Sequence, residues 1–225
     1  MSRLAIFDCD GTLVDSGGAI HRALSETFVR HGRTVPQRSE AQRVIGLSLH
    51  EAFAFLAPDA SSAEHAALSA TYRQVFAALR ADGEVEEPLF DGILPLLDVL
   101  EADGWLLAVA TGKSDRGLRH CLETNGLTGR FVSLQTADRH PSKPHPSMAL
   151  QAMADANAQP AGTVVIGDTG WDMGMARAAG AGAVGALWGY HNEAELKLAG
   201  ADVLATSPHD VHACLIGLFG EVENG

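Results

Sequence analysis

Apolar runs and segments of helical periodicity alternate along the second half of the chain. The runs at 105–110 and 163–167 are almost wholly apolar, as is typical of strands that are buried on both faces. Several of the segments between them begin at a hydroxyl residue or a proline and end at a glycine, which are common helix boundaries. This alternation predicts a parallel sheet with helices on both faces. The predicted strands are 4–7, 105–110, 131–136, 163–167, 183–188 and 202–205, and the predicted helices are 114–126, 146–157, 172–179 and 192–198, with one more at the C-terminal end.

The segment 16–88 breaks this alternation. It holds no convincing strand, and the spacing of its apolar residues predicts several helices. The first strand is therefore followed by a helical insertion, after which the sheet resumes. Gly17-Gly18 and the acidic stretch 83–88 flank the insertion and are candidate hinges. The predicted helices of the insertion include 19–31, 49–56 and 63–81.

Composition narrows the class of protein to be expected. Hydrophobic residues make up 46% of the 225 positions, which is enough apolar material for a core. The formal net charge of −12 argues against nucleic acid as a partner, because phosphate backbones require basic patches. The three cysteines lack ligand-like spacing, and we find no signal peptide and no apolar stretch that would span a bilayer. We therefore expect a cytoplasmic monomer or homodimer with no membrane partner.

Polar side chains that suit phosphate or metal chemistry follow several of the predicted strands. Since the carboxyl ends of parallel strands share one edge of a sheet, we expect these side chains to converge there. They are Asp8 and Asp10 after the first strand, Thr111 and Gly112 after the second, Lys143 in a proline-stiffened loop, and Asp168 and Asp172 after the fourth.

The charges of this predicted site do not balance. Four aspartates face one lysine, so the site carries three net negative charges when all five groups are ionised. Repulsion between such a site and a phosphate costs on the order of several kcal/mol. Mg²⁺ prefers a few oxygen ligands and keeps several waters, and paired carboxylates supply such ligands. A phosphate substrate would therefore require a metal ion here.

The motifs 8–13, 111, 143–144 and 167–172 resemble, in this order, those of the haloacid dehalogenase superfamily. The insertion between the first two motifs resembles the helical cap of the phosphoglycolate phosphatase and β-phosphoglucomutase branch. The resemblance implies an α/β fold with a Rossmann-like parallel sheet core and an inserted all-helical cap domain. The implied core consists of 1–15 and 89–225, and the implied cap of 16–88.

The resemblance also implies roles for the residues that would touch the substrate. Asp8 would attack phosphorus and form an aspartyl-phosphate. Asp10 would protonate the leaving oxygen and then deprotonate the attacking water. Thr111 and the amide of Gly112 would hold phosphoryl oxygens, and Lys143 would balance the charge of nucleophile and phosphate.

The same resemblance implies a Mg²⁺ site. Asp168 would bind the ion together with Asp8 and the backbone carbonyl of Asp10. Asp172 would act close to the metal by orienting waters or Lys143.

The expected activity is that of a Mg²⁺-dependent phosphatase, similar to phosphoglycolate phosphatase, that hydrolyses a small phosphomonoester. Asp10 and Asp168 argue against the dehalogenases, which need neither a second acid nor a metal. The segment 16–88 contains no lysine, which argues against the phosphonate-cleaving branch and its Schiff base. A phosphosugar mutase of the β-phosphoglucomutase type stays open as an alternative. A phospho-Asp receiver-like regulatory domain is a non-enzyme alternative, although receivers lack the helical insertion.

Substrate choice should lie with the cap. We single out Arg43 among its arginines, because the segment 42–46 joins two predicted cap helices and resembles the family's substrate-facing segment. A guanidinium there would bind a carboxylate or a second phosphate by two parallel hydrogen bonds. Arg43 is therefore predicted to bind substrate.

Overall fold

The computed structural model describes residues 2–220 and contains one parallel sheet. Its strands are β1 (Ser2–Phe7), β2 (Trp105–Thr111), β3 (Ser133–Thr136), β4 (Ala158–Gly167), β5 (Gly182–Ala186) and β6 (Val203–Ala205). They pair in parallel in the order β3-β2-β1-β4-β5-β6. The order reverses between β1 and β4, and ligands of open α/β sheets bind outside the carboxyl ends of the strands at such a point.

Helices cover both faces of the sheet and form the insertion. Those of the insertion are α1 (Gly17–Arg30), α2 (Arg38–Arg43), α3 (Leu49–Leu56) and α4 (Ser62–Ala81). Those of the core are α5 (Ile93–Ala102), α6 (Asp115–Thr124), α7 (Ser147–Asp155), α8 (Gly170–Ala179), α9 (Glu193–Ala199) and α10 (Pro208–Phe219). From residue 2 to residue 220, none of the helices has both the length and the apolar character that a membrane crossing requires.

Within residues 2–220, buried apolar side chains form three clusters. Ala5 and Phe7 belong to a cluster on one face of the sheet, and Leu4 and Ile6 belong to a cluster on the other. Successive residues of a strand face opposite sides, so β1 is buried on both faces and reads as a continuous apolar run. The third cluster lies within the insertion and is built around Phe53. The predicted α/β fold with an inserted all-helical cap is confirmed.

The chain enters and leaves the insertion side by side. Val14 pairs with Leu89 in an antiparallel bridge, and the amide of Asp15 donates to the carbonyl of Pro88 at 2.9 Å. The end of the stretch 83–88 therefore lies beside the segment that enters the insertion, and both segments stay candidate hinges. We keep 16–88 as the proposed cap domain and 1–15 with 89–225 as the proposed core, of which residues 1 and 221–225 lie outside the described residues.

Some elements differ from the sequence prediction. β4 begins at Ala158 rather than at 163, and α8 begins at Gly170 because Thr169, not a later residue, caps it. The helix α2 was not predicted, since its six residues bury only Ala41 and show no apolar periodicity. The helix α5 was not predicted either; Pro95 lies in its first turn, where a proline removes no helical hydrogen bond.

Candidate active site

Asp8 lies directly after β1 and is buried. Its Oδ1 accepts the backbone amide of Cys9 at 2.6 Å and lies 2.9 Å from the Nζ of Lys143. Its Oδ2 has no hydrogen-bond partner among the residues described. A buried carboxylate oxygen without a partner is costly, so this atom marks a position for a ligand.

Three buried carboxylates meet at the point where the strand order reverses. One carboxylate oxygen from each of Asp8, Asp168 and Asp172 lies within 4.8 Å of the others. Asp168 is held in place from two sides, because it accepts the Thr12 hydroxyl at 2.9 Å and the backbone amide of Tyr190 at 2.9 Å. Carboxylate oxygens are the ligands that Mg²⁺ prefers, and Asp8 of this cluster has an oxygen without a hydrogen-bond partner among the residues described. The residues present therefore fit a magnesium ion.

Burial and mutual repulsion perturb this cluster. Burial, and then the charges of Asp172 and Asp10, raise the pKa of Asp8 to about 7, although Lys143 opposes the shift. Burial and the charges of Asp172 and Asp8 raise the pKa of Asp168 well above its usual range. A divalent cation among these carboxylates would favour their charged forms and so oppose both shifts.

Lys143 binds two of the three carboxylates. Its Nζ lies 2.9 Å from Asp8 and 2.6 Å from Asp172, and the side chain is buried. Burial lowers the pKa of Lys143, but Asp172 and Asp8 outweigh it and raise the pKa above its usual value, so the ammonium persists. The second oxygen of Asp172 accepts the Thr169 hydroxyl at 2.6 Å, which makes Asp172 part of the cap of α8. Asp172 thus both caps a helix and orients Lys143.

The Asp10 carboxylate belongs to a different set of contacts. It lies 2.7 Å from the Nζ of Lys113 and also accepts the hydroxyl of Ser16. Lys113 makes a second ion pair with Glu87 at 2.6 Å, and both side chains are buried. The predicted metal role of Asp10 involves its backbone carbonyl and is compatible with this direction of the carboxylate.

Sequence reasoning missed Ser16, Lys113 and Glu87. One signal was present: Lys113 is one of only three lysines in the chain and lies two residues after Thr111. Glu87 gave no such signal, since it lies in the acidic stretch that was interpreted as a hinge.

The turn between α2 and α3 covers the nucleophile. A β-carbon on Gly112 would lie 2.5 Å from the carbonyl oxygen of Leu47 and 2.8 Å from that of Gly46, so only glycine fits there. A β-carbon on Gly46 would lie 3.5 Å from Oδ2 of Asp8. Thr111 is buried at the end of β2, beside Gly112. The cap is thus closed over the strand ends.

Arg43 does not face this site. Its guanidinium donates to Glu195 of the core at 3.0 Å, and its side chain is 60% exposed. Its carbonyl oxygen accepts the indole N–H of Trp171 at 3.1 Å. Arg43 ends α2, and residues 44–47 after it line the cavity between the cap and the core. That Arg43 binds substrate stays a prediction, which this placement does not support.

A cavity of about 600 Å³ lies between the cap and the core. Asp10, Gly112 and Lys113 line its base, and residues of the cap form most of its walls. The Asp10 side chain, which is expected to act as acid and base, therefore borders the space that a bound molecule would occupy.

Comparison with known proteins identifies close relatives. Residues 5–186, which include every strand end of the site, match the family model of haloacid dehalogenase-like hydrolases. The chain is 36% identical over 215 residues to the probable phosphatase IndB of Dickeya dadantii, covering 94% of this chain and 92% of that protein. It is 32% identical over 209 residues to a phosphoglycolate phosphatase of Xylella fastidiosa, covering 92% and 90%. The crystal structure of a hydrolase from Pseudomonas syringae superposes with a TM-score of 0.84 at 26% identity, covering 96% of this chain and 99% of that one.

Proposed function

The chain belongs to the haloacid dehalogenase-like hydrolases and is a phosphoric monoester hydrolase, and we propose that it acts with Mg²⁺ through an aspartyl-phosphate. The substrate class is a small phosphomonoester. The observation that carries the proposal is the buried Asp8 carboxylate, which Lys143 holds at one oxygen and nothing in residues 2–220 holds at the other. A carboxylate fixed in this way has one free oxygen for attack on phosphorus.

In the proposed first step, a bond forms between Oδ2 of Asp8 and phosphorus while the bond from phosphorus to the leaving oxygen breaks. The leaving oxygen takes a proton from the Asp10 carboxyl, whose direction is fixed by Lys113 and Ser16. In the second step, a water attacks phosphorus and gives its proton to Asp10. The bond from Asp8 to phosphorus then breaks, which restores both carboxyl groups.

The phosphoryl oxygens need partners throughout this cycle. The Thr111 hydroxyl and the Gly112 amide stand at the end of β2, next to the strand that carries Asp8. The Lys143 ammonium lies 2.9 Å from Oδ1 of the nucleophile. We propose that these groups bind the phosphoryl oxygens, because positioned donors around developing charge are a main source of catalysis.

Asp8, Asp168 and the backbone carbonyl of Asp10 would hold the magnesium ion, with Asp172 nearby. When bound, the ion would neutralise charge on the phosphoryl oxygens and on the carboxylates. Three buried carboxylates with oxygens within 4.8 Å of one another support this assignment. EDTA should stop turnover and added Mg²⁺ should restore it; activity that is indifferent to EDTA would exclude the metal assignment.

The central test is the variant Asp8→Asn, assayed by phosphate release from p-nitrophenyl phosphate. We expect loss of activity by about four orders of magnitude or more with an unchanged fold by circular dichroism, because the nucleophile is removed. Asp91→Asn is a matched control, since Asp91 is an exposed acid before α5. Retained activity in Asp8→Asn would refute the proposal.

The alternatives are tested by the products. A screen over phosphoglycolate, sugar phosphates and nucleotides should release inorganic phosphate many times per protein molecule. A phosphosugar mutase would instead interconvert sugar phosphate isomers. A receiver-like regulatory domain is no longer favoured, because the matching family model is one of hydrolases. The cytoplasmic location and the monomeric or homodimeric state stay predictions.

A further inference from the structure

We infer that the substrate is the phosphomonoester of an alcohol with a bulky apolar body, about the size of an aromatic ring on a short linker, rather than a two-carbon alcohol. This inference rests on the proposed phosphatase function and names the substrate class of the same site. It follows from the position, the walls and the charges of the cavity between the cap and the core.

The position of the cavity relates it to the leaving group. Asp10 lines the cavity, whereas Asp8 and Asp168 do not. The proposed role of Asp10 is to protonate the leaving oxygen, so the leaving alcohol must lie on the Asp10 side of phosphorus. The cavity therefore holds the alcohol part of the substrate.

The walls of the cavity on the cap side are mainly apolar. Two aromatic rings from α4 face it, together with aliphatic side chains from α1, from α3 and from the turn between α2 and α3. Water against such walls is unfavourable, and an apolar ligand that displaces it gains free energy. These side chains are Ile20, Leu24, Val44, Leu49, Tyr72 and Phe76.

The volume of the cavity also argues for a large alcohol. At about 600 Å³ it falls within the range of about 300–1,000 Å³ that holds drug-sized ligands. A two-carbon alcohol bound at Asp10 would leave most of this volume to water. An aromatic ring on a short linker would reach the apolar walls of α4.

Two of the cationic side chains that line the cavity are paired with carboxylates. Lys113 is held by Asp10 and Glu87, and Arg80 by Glu87 at 3.2 Å. The ammonium of Lys113, which contacts Asp10, is therefore not free for a carboxylate close to the phosphate, as in phosphoglycolate. Arg73 and Arg116 also line the cavity and form no ion pair with the residues described, so any acidic group of the substrate must reach these arginines. Arg80 also lines the cavity, and its Nε is buried without a hydrogen-bond partner among the residues described.

The experiment compares molecules that differ only in the apolar body. The phosphonates 3-phenylpropylphosphonate and propylphosphonate cannot be hydrolysed, and calorimetry gives their dissociation constants with Mg²⁺ present. We expect the phenyl compound to bind about tenfold more tightly or better. The corresponding phosphates are both esters of primary alcohols, so their chemical reactivity is matched, and kcat/KM should show the same preference over propyl phosphate and phosphoglycolate.

A pair of variants locates the effect in the cavity. Ala77 and Ala78 are exposed neighbours on α4, but only Ala77 lines the cavity. Ala77→Trp should lower binding of 3-phenylpropylphosphonate about tenfold or more and change that of propylphosphonate by less than about twofold. Ala78→Trp should change neither.

The outcomes separate this inference from the proposed function. Equal binding of both phosphonates, or an equal loss of both in Ala77→Trp, would overturn the inference even if p-nitrophenyl phosphate is hydrolysed. Preferential binding of the phenyl compound without hydrolysis of any phosphate would support the cavity assignment and overturn the phosphatase mechanism instead.

Discussion

Lys113 connects the proposed acid–base residue to the segment 83–88, the predicted second hinge of the cap. Its ammonium bridges the carboxylates of Asp10 and Glu87, and all three side chains are at most 8% exposed. Glu87 in turn accepts Arg80 from the end of α4. The direction of the Asp10 carboxylate thus depends on a chain of buried charges that reaches into the cap.

We predict that Lys113→Met lowers kcat for p-nitrophenyl phosphate by about tenfold to a hundredfold. The variant removes the group that positions Asp10, and general acid–base catalysis contributes about 10² to 10⁴. It also leaves Glu87 without its lysine partner, so the free energy of unfolding should fall. The measurements are steady-state kinetics with saturating Mg²⁺ and urea unfolding.

Lys197→Met is the control for this prediction. Lys197 forms an exposed pair with Glu193 in α9, and such pairs contribute little to stability. If Lys113→Met kept the wild-type kcat, Lys113 would have no positioning role.

Site residues could be predicted from the sequence where they directly follow a predicted strand. Asp8 and Asp168 follow β1 and β4, and parallel strands bring their ends together whatever the loops do. Glu87 and Ser16 could not be found in this way. Their contacts depend on how the chain returns from the insertion, which no local pattern encodes.

The turn between α2 and α3 is the element of the cap that meets the nucleophile. The carbonyl oxygens of Gly46 and Leu47 lie so close to Gly112 that an alanine methyl group at position 112 would clash with them. Gly46 has a φ of +91°, a conformation that glycine adopts without strain. The turn and the end of β2 therefore fit each other through two glycines.

We predict that Gly112→Ala displaces this turn. The new methyl group would meet backbone rather than a flexible side chain, and such overpacking costs about 1–3 kcal/mol of unfolding free energy. The kcat/KM for p-nitrophenyl phosphate should fall as well, because the Gly112 amide moves away from the phosphoryl oxygens. Urea unfolding and kinetics measure the two effects.

Gly217→Ala provides the matched control, since a β-carbon there meets nothing within 4 Å and the residue lies in α10. It should be neutral or slightly stabilising. An equally neutral Gly112→Ala would mean that the turn is not in contact with the end of β2 in solution.

Elements were predicted from sequence where apolar periodicity was strong. The strands β1 and β2 were found from their continuous apolar runs, and α4 from its length and spacing. The helix α2 could not be predicted, because it is fixed by a capping box between Gln37 and Glu40 and by its contacts with α1 rather than by an apolar face of its own.

At the scale of the whole molecule, the sequence predicted a parallel sheet but not the order of its strands. The order depends on which face of the sheet each crossover covers, and no local pattern in the sequence encodes that choice. In the structure β1 lies in the middle of the sheet, between β2 and β4. The first and the fourth strand of the sequence prediction are therefore neighbours.

The acidic cluster should make the stability of the protein depend on pH and Mg²⁺ together. Burial raises the pKa of Asp8 from 3.8 to about 7, so the folded state holds a proton that the unfolded chain releases. The contribution of Asp8 to the free energy of unfolding therefore falls as pH rises through this range. The raised pKa of Asp168 acts in the same direction.

We predict that Mg²⁺ raises the Tm more at pH 8 than at pH 5.5. At the lower pH protons compete for the carboxylates, and at the higher pH the ion offsets their repulsion. Thermal unfolding with EDTA and with Mg²⁺ at both pH values measures the effect. The difference should shrink in Asp8→Asn, and an equal Mg²⁺ shift at both pH values in the wild-type protein would contradict the prediction.

The chain enters and leaves the insertion at adjacent positions, and this has a consequence for how proteins with this core can evolve. Asp15 and Pro88 are joined by a hydrogen bond of 2.9 Å, so the two ends of the insertion lie side by side, like the ends of a loop between two elements of the core. A different helical unit whose termini lie equally close can be spliced between them without moving a strand. One recombination event can therefore replace the cavity walls that the cap supplies while the phosphate-binding residues stay in place. The protein would then hydrolyse the phosphomonoester of a different alcohol.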